Sequence, residues 1–341
     1  MRHRGTMIAG LVMALTVSTV AAGFAGTIPE TLVEGGPGNQ FSGDGNSDWF
    51  TWSTNSPERP RHYDARARLF AGKGSFKMNA SGTVGYAGDI NGETTEAVYQ
   101  QVDGAGSDIY LYDLEARTRE PAPGSVNTNL WEWSPSVSDG YILFGRNKFR
   151  RPSSPWKIML YDRVAETAVA LDSVTYECRC IFLGQVSDAY ATWTKCLRDC
   201  HVWYHDIEAG TTHKVPNPLD KQQYNPGVSG ASGDLFFIRS GNGCGQNVRI
   251  VRWNPVAGGD ATVVGVLPQG YDVNSNVTVF DDTGGHQDVY LARYPCSGSF
   301  NANIYVVNDA DTAAVARSAR DGSASSAASK RPVMPGAAPG A

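Results

Sequence analysis

The side chains in this sequence that could do chemistry are few and lie mostly past its midpoint. Six cysteines occur, at 178, 180, 196, 200, 244 and 296. Cys178-x-Cys180 and Cys196-x3-Cys200 could make a four-thiolate zinc site, but neither spacing is the two-residue knuckle such sites use. His201 and His205 stand four apart. On a strand, where alternate side chains share a face, both imidazoles point the same way and could take a metal beside Asp199 or Asp206. His205, however, stands where sister segments carry Tyr112 and Tyr161, so a half-buried packing role is the better reading. Asp272-x-Asn274-x-Asn276 and Asp281-Asp282 are rich in oxygen ligands. The first resembles the opening of a calcium loop without the glycine and distal glutamate of an EF-hand. No cofactor is expected, with calcium at that run a weak alternative. A long basic and aromatic stretch runs from Arg146 through Lys148, Arg150 and Arg151 to Trp156, with Trp131 and Trp133 upstream. Aromatic rings beside Arg and Lys are the types that stack on sugars or capture peptides.

Nucleophile and phosphate motifs are missing from the sequence. There is no Gly-x-Ser-x-Gly elbow, Gly227-Val228-Ser229-Gly230 having the wrong spacing. There is no Walker A stretch and no dinucleotide fingerprint. No catalytic residue is assigned, and the expectation leans away from an enzyme. The formal net charge of −5 gives no basic footprint, so nucleic acid is not an expected partner.

The first residues read as an address. Arg2, His3 and Arg4 precede an apolar run from Met7 to Ala22, and small residues follow. Residues 1–25 are therefore taken as a secretion signal and 26–40 as a lead-in segment. No later run reaches the length of a membrane span. The mature protein is expected to be a soluble monomer outside the cytoplasm, secreted or periplasmic. In that setting an even number of cysteines favours disulfides.

The elements that must position these residues announce themselves by repetition. Ile109-Tyr110-Leu111-Tyr112-Asp113 recurs as Ile158–Asp162, Val202–Asp206, Ile250–Asn254 and Ile304–Asn308. The closing Asp or Asn thus steps by 49, 44, 48 and 54 residues. Upstream of each lies a second strand pattern, beginning at Trp49, Ala97, Tyr141, Tyr190, Leu235 and Val289, which counts six units. The partner of the first is the weaker His62–Arg66. Turn signals such as Asn91-Gly92 and Asp139-Gly140 precede these strands. A short segment of small residues comes before the turn, and a fourth segment follows, the last of them at Ala313–Ala316. Four strands per unit at this period predict an all-β fold, a six-bladed β-propeller of four-stranded antiparallel blades over residues 41–317. Residues 318–341 are low in complexity and expected to be disordered.

One unit carries a resemblance. Trp133-Ser134-Pro135-Ser136-Val137-Ser138-Asp139-Gly140-Tyr141-Ile142-Leu143-Phe144, followed by Ile158-Met159-Leu160-Tyr161-Asp162, resembles the repeat of TolB-like β-propellers. That family also includes the propeller domains of prolyl oligopeptidase-like and dipeptidyl-peptidase-IV-like proteins. The insertion of Ser-Val-Ser before Asp139-Gly140 departs from the usual pattern. The resemblance implies a propeller that works through protein contacts. In the peptidases a hydrolase domain follows the propeller; here only the low-complexity tail does.

With strands lettered A to D from the axis outward, the start of A lies beside the end of B. All six cysteines then fall on the face formed by the B–C and D–A loops. Cys244–Cys296 is expected to clamp blades five and six. The other four are expected to pair within blade four, as Cys180–Cys196 with Cys178–Cys200, or with Cys196–Cys200 instead. The function expected is a non-enzymatic binding or scaffold module, using this face for a protein or glycan, with Trp131, Trp133, Arg146, Lys148, Arg150, Arg151 and Trp156 as contacts. The alternative is a polysaccharide lyase or glycosidase acting at the central channel through two carboxylates from different blades.

Overall fold

The computed structural model describes residues 30–310, apart from 73, 105, 149–153, 176–180, 220, 299–300 and 309. The secretion signal at 1–25 and the tail at 318–341 lie outside these residues, as does the segment 313–316. Every regular element described is a strand. Blade one is β2 (Gln40–Gly45), β3 (Trp49–Ser56), β4 (Arg59–Leu69) and β5 (Ser75–Lys77), after an initial β1 (Glu30–Glu34). Blade two is β6 (Val84–Ile90), β7 (Glu96–Asp103), β8 (Gly106–Asp113) and β9 (Thr118–Pro121). Blade three is β10 (Trp131–Val137), β11 (Tyr141–Asn147), β12 (Trp156–Asp162) and β13 (Thr167–Val174). Blade four is β14 (Ile181–Val186), β15 (Tyr190–Cys196), β16 (Cys200–Asp206) and β17 (Thr211–Lys214). Blade five is β18 (Gln222–Val228), β19 (Leu235–Ser240), β20 (Arg249–Trp253) and β21 (Thr262–Val266). Blade six has a split inner strand, β22 (Tyr271–Val273) and β23 (Thr278–Asp281), then β24 (Gln287–Pro295) and β25 (Asn303–Val307).

Pairing within each blade is antiparallel between successive strands, and a single parallel pair, Trp131 with Ser107, joins blades two and three. The outer place in blade six is filled by β1, antiparallel to β25. The stretch read as a lead-in therefore supplies a strand. The first and last strands of the described chain share one sheet, and this closes the ring. Two arginines tie the closing strand to its neighbours. Arg293 of β24 pairs with Glu30, and Arg68 of β4 donates to the Val33 carbonyl at 3.1 Å.

The core is a set of six apolar clusters, one for each interface around the ring. Alternation along the strands produces them. In β11, for example, Ile142 and Phe144 pack with Val98 and Ile109 of blade two, while Leu143 packs with Ile181 and Trp193 of blade four. The Asp or Asn that recurs at the end of strand C caps the C–D turn in blades two, three and five. Asp113 Oδ1 accepts from the Glu115 and Ala116 amides, Asp162 Oδ1 from Val164 and Ala165, and Asn254 Oδ1 from Val256 and Ala257. Toward the axis the A strands come close enough to exclude side chains. A Cβ on Gly88 would lie 2.3 Å from the Pro135 carbonyl, and one on Gly227 would lie 2.4 Å from the Val277 carbonyl.

Candidate functional site

Two disulfides fix the face carrying the B–C and D–A loops. Cys244–Cys296 joins the β19–β20 loop to the segment after β24, clamping blades five and six as the register predicts. Within blade four the bridge is Cys196–Cys200, not Cys180–Cys196 with Cys178–Cys200. The reason is local. Cys196 and Cys200 are opposed partners at the closed end of the β15–β16 hairpin, so their side chains meet across the turn. Cys178 and Cys180 lie outside the described residues.

The aromatic part of the expected ligand surface lies inside the molecule. Trp131, Trp133 and Trp156 are only 7%, 6% and 9% exposed and sit in the cluster between blades three and four. Trp133 and Trp156 touch, with ring centroids 5.1 Å apart. Trp133 lies over Gly145, where a Cβ would come within 2.1 Å of the indole. These indoles come together as core, so they are not placed to stack on a sugar. Arg146 is committed too. Its Nε donates to buried Glu132 at 3.0 Å and its Nη2 to the Ser125 and Val126 carbonyls at 2.8 Å. Lys148 is exposed on the face, whereas Arg150 and Arg151 lie outside the described residues. His205 is partly buried and meets Thr212 Oγ1 at 2.9 Å, as a packing residue would. Asp281 serves the blade-five turn, accepting from Ser229 Oγ at 2.6 Å and the Ala231 amide at 3.0 Å.

The same face carries a cleft of 290 Å³ where blade six meets blade one. Glu34, at the end of the closing strand, forms one wall. The β3–β4 hairpin, through Asn55 and Arg59, and alternate residues of β4, His62, Asp64 and Arg66, form the other. Asp64 is paired with Lys77 and lies 3.6 Å from His62 Nε2, and Glu34 lies 3.7 Å from Arg68. Burial raises the Glu34 pKa against the pull of Arg68 and Arg66. Arg66 donates to the Ser75 hydroxyl and its charge also acts on Glu34, while Arg59 is exposed. The cleft thus brings guanidinium groups together with carboxylate, amide and hydroxyl groups.

At the axis lies a layer of polar side chains from the ends of the inner strands. Asp44 Oδ2 accepts the Ile90 amide at 2.7 Å, Ser136 Oγ the Val186 amide at 2.8 Å, and Gln185 Oε1 the Val228 amide at 3.1 Å. Each blade in these pairs hands a side chain to the next. Gln185 goes further and bonds both the amide and carbonyl of Val279 in blade six, at 2.9 and 3.1 Å. It can do so because Gly227 of blade five has no side chain in the way. Thr278 donates to the Gly43 carbonyl at 2.7 Å. Asp44 and Asp89 are 2% and 6% exposed, and Asp44 Oδ1 and Asp89 Oδ2 have no hydrogen-bond partner. Burial raises the Asp44 pKa to about 7, against the hydrogen bond it accepts from the Ile90 amide. Burial, then the neighbouring Asp44, raises that of Asp89 well above the ordinary carboxylate range. Neither residue was singled out from the sequence. The signal was present: Gly43-Asp44-Gly45-Asn46 and Gly88-Asp89-Ile90-Asn91 repeat one Gly-Asp-x-Asn pattern at the same place in adjacent units.

The closed ring of four-stranded blades defines the class of protein as a β-propeller, and comparison with solved structures finds the same fold in several proteins. No protein-family model and no curated protein sequence matches the chain. Among solved structures it is similar to TolB from Acinetobacter baumannii, with a TM-score of 0.51 at 13% identity over 77% of this chain and 64% of that one. It is similar to an oligogalacturonate lyase from Vibrio parahaemolyticus, with a TM-score of 0.52 at 9% identity over 83% and 79% of the two chains. A puromycin hydrolase gives a TM-score of 0.54 at 12% identity, over 81% of this chain and 46% of that one. The chain thus spans less than two thirds of that TolB and under half of the hydrolase. At these identities the likeness is one of fold, and a fold shared by TolB, a lyase and a hydrolase leaves function to the site.

Proposed function

We propose that this protein is an exported, monomeric, non-enzymatic propeller that binds a protein or glycan on the face of its B–C and D–A loops. The observation that carries this reading is the double disulfide staple. Three successive blades, four to six, have their B–C loops fixed covalently on one face. Loops held rigid before binding lose less entropy when a ligand arrives. The cleft on that face supports the same reading, because Arg59 and Arg66 beside hydroxyls and amides suit an acidic peptide or an acidic sugar. The alternative, polysaccharide cleavage at the axis, needs two carboxylates within reach of a sugar. Asp44 and Asp89 are two such groups, but both are buried beneath the channel surface. The test is a glycan and peptide array probed with the mature protein and with Arg59→Ala and Lys148→Ala variants. Binding that either variant weakens supports the assignment. Binding indifferent to both, or turnover of any arrayed glycan, overturns it.

A further inference from the structure

We infer that the Cys244–Cys296 bridge, when reduced, becomes a binding site for a thiophilic divalent cation such as zinc or cadmium, with Asp272 as the third ligand. The two sulfurs and a carboxylate oxygen of Asp272 all lie within 4.8 Å of one another. Among the described residues this is the one group of three metal-binding side chains gathered so closely.

What makes the grouping more than a consequence of the disulfide is that other bonds hold each member in place. Asp272 is fixed by the β22–β24 pairing opposite Tyr294. Its Oδ1 accepts from Tyr224 Oη at 2.6 Å and from the Val273 amide at 2.8 Å. Gly270 joins the two loops independently of sulfur: the Cys296 amide donates to its carbonyl at 2.8 Å, and its own amide donates to the Gly245 carbonyl at 3.4 Å. Cys244 Sγ also stands 3.7 Å from Tyr294 Oη. Cutting the S–S bond therefore leaves the ligands together.

A thiol or phosphine reductant supplies two electrons and, with two protons, converts the bridge to two thiols. Coordination then releases both thiol protons. Two thiolates and one carboxylate fill three places of a tetrahedral ion and leave the fourth to water. The bridge would thus trade a covalent clamp between blades five and six for a coordinate one. The inference uses only this geometry, so it stands or falls apart from the ligand assignment above.

The probe is cadmium, added without oxygen to full-length protein reduced by a phosphine and then freed of it. The thiolate-to-cadmium absorbance is read in a background where Cys178, Cys180, Cys196 and Cys200 are serine. The expected result is stoichiometric binding with the intensity of two thiolates, and no binding by the oxidised protein. Asp272→Asn should weaken the affinity by about tenfold or more, since even losing a group that only orients a metal ligand costs that much, without changing the absorbance per bound ion. Cys296→Ser should halve that absorbance. No binding, or an affinity unchanged by Asp272→Asn, overturns the inference. So does loss of the near-ultraviolet circular dichroism on reduction that cadmium fails to restore. If the four-serine background does not fold, the effect of Asp272→Asn on cadmium affinity in the six-cysteine protein decides the matter by the same criterion.

Discussion

Arg146 shows how a residue type can suggest a surface role that its neighbours forbid. Its guanidinium belongs to a buried pair with Glu132, whose side chain is wholly inaccessible, and it stacks on Phe144. Removing it leaves a carboxylate with no countercharge. Arg146→Ala is expected to cost about 3–5 kcal/mol, the range for breaking a buried pair by deleting one partner. A urea titration checks this; a ligand-contact role would leave the midpoint in place. Asp44 and Asp89 make a second prediction at this scale. Both have pKa values raised in the folded state, Asp44 from 3.8 to about 7 and Asp89 well above the ordinary carboxylate range. The fold holds their protons more tightly than the unfolded chain does. Their contribution is fully present below the unfolded value and is lost as pH rises through the folded one. The melting temperature should therefore fall between pH 5 and pH 8, and Asp89→Asn should flatten that fall by relieving the like-charge pair. An unchanged pH profile in Asp89→Asn would remove the pair from the account. None of this was readable from residue types alone. The indoles and Arg146 were visible, but which way a strand side chain points depends on the blade it faces.

The strands themselves were far more legible. The six B strands begin within two residues of the sequence positions, because a short apolar run opened by a turn signal such as Asn91-Gly92 or Asp139-Gly140 suits a strand buried on both faces. The recurring Asp after strand C was seen, and its use as a turn cap follows from Asp and Asn bonding amides two and three residues on. One feature escaped and another was left between alternatives. The lead-in became β1, since pairing between segments more than 260 residues apart leaves no local mark. The blade-four bridge followed a hairpin register that puts Cys196 directly opposite Cys200. Gly145 illustrates what the element demands of one position. Gly145→Ala would force its Cβ into Trp133, at 2.1 Å, and a packed core answers such insertions with shifts costing about 1–3 kcal/mol. Thermal unfolding together with Trp fluorescence would detect it; a wild-type emission spectrum and midpoint would contradict the packing described.

For the whole molecule, closure and stapling set the stability. The Cys244–Cys296 bridge spans 52 residues of sequence and Cys196–Cys200 only 4. Loop-closure entropy assigns about 4 kcal/mol to the first and about 2 kcal/mol to the second. Guanidinium unfolding of Cys244→Ser/Cys296→Ser and Cys196→Ser/Cys200→Ser variants should rank them in that order. The reverse order would mean that the inter-blade bridge restrains little. The reach of Gln185 past Gly227 gives the ring a chord from blade four to blade six. A wheel with one chord is not six equal wedges. Blades four to six form a braced sector, pinned at the hub by an amide, with blades five and six also joined by sulfur on the loop face. Blades one and two meet at the hub through two acids that repel each other whenever both are charged. Raising the pH therefore loads the wheel at that one seam, across the disc from the chord.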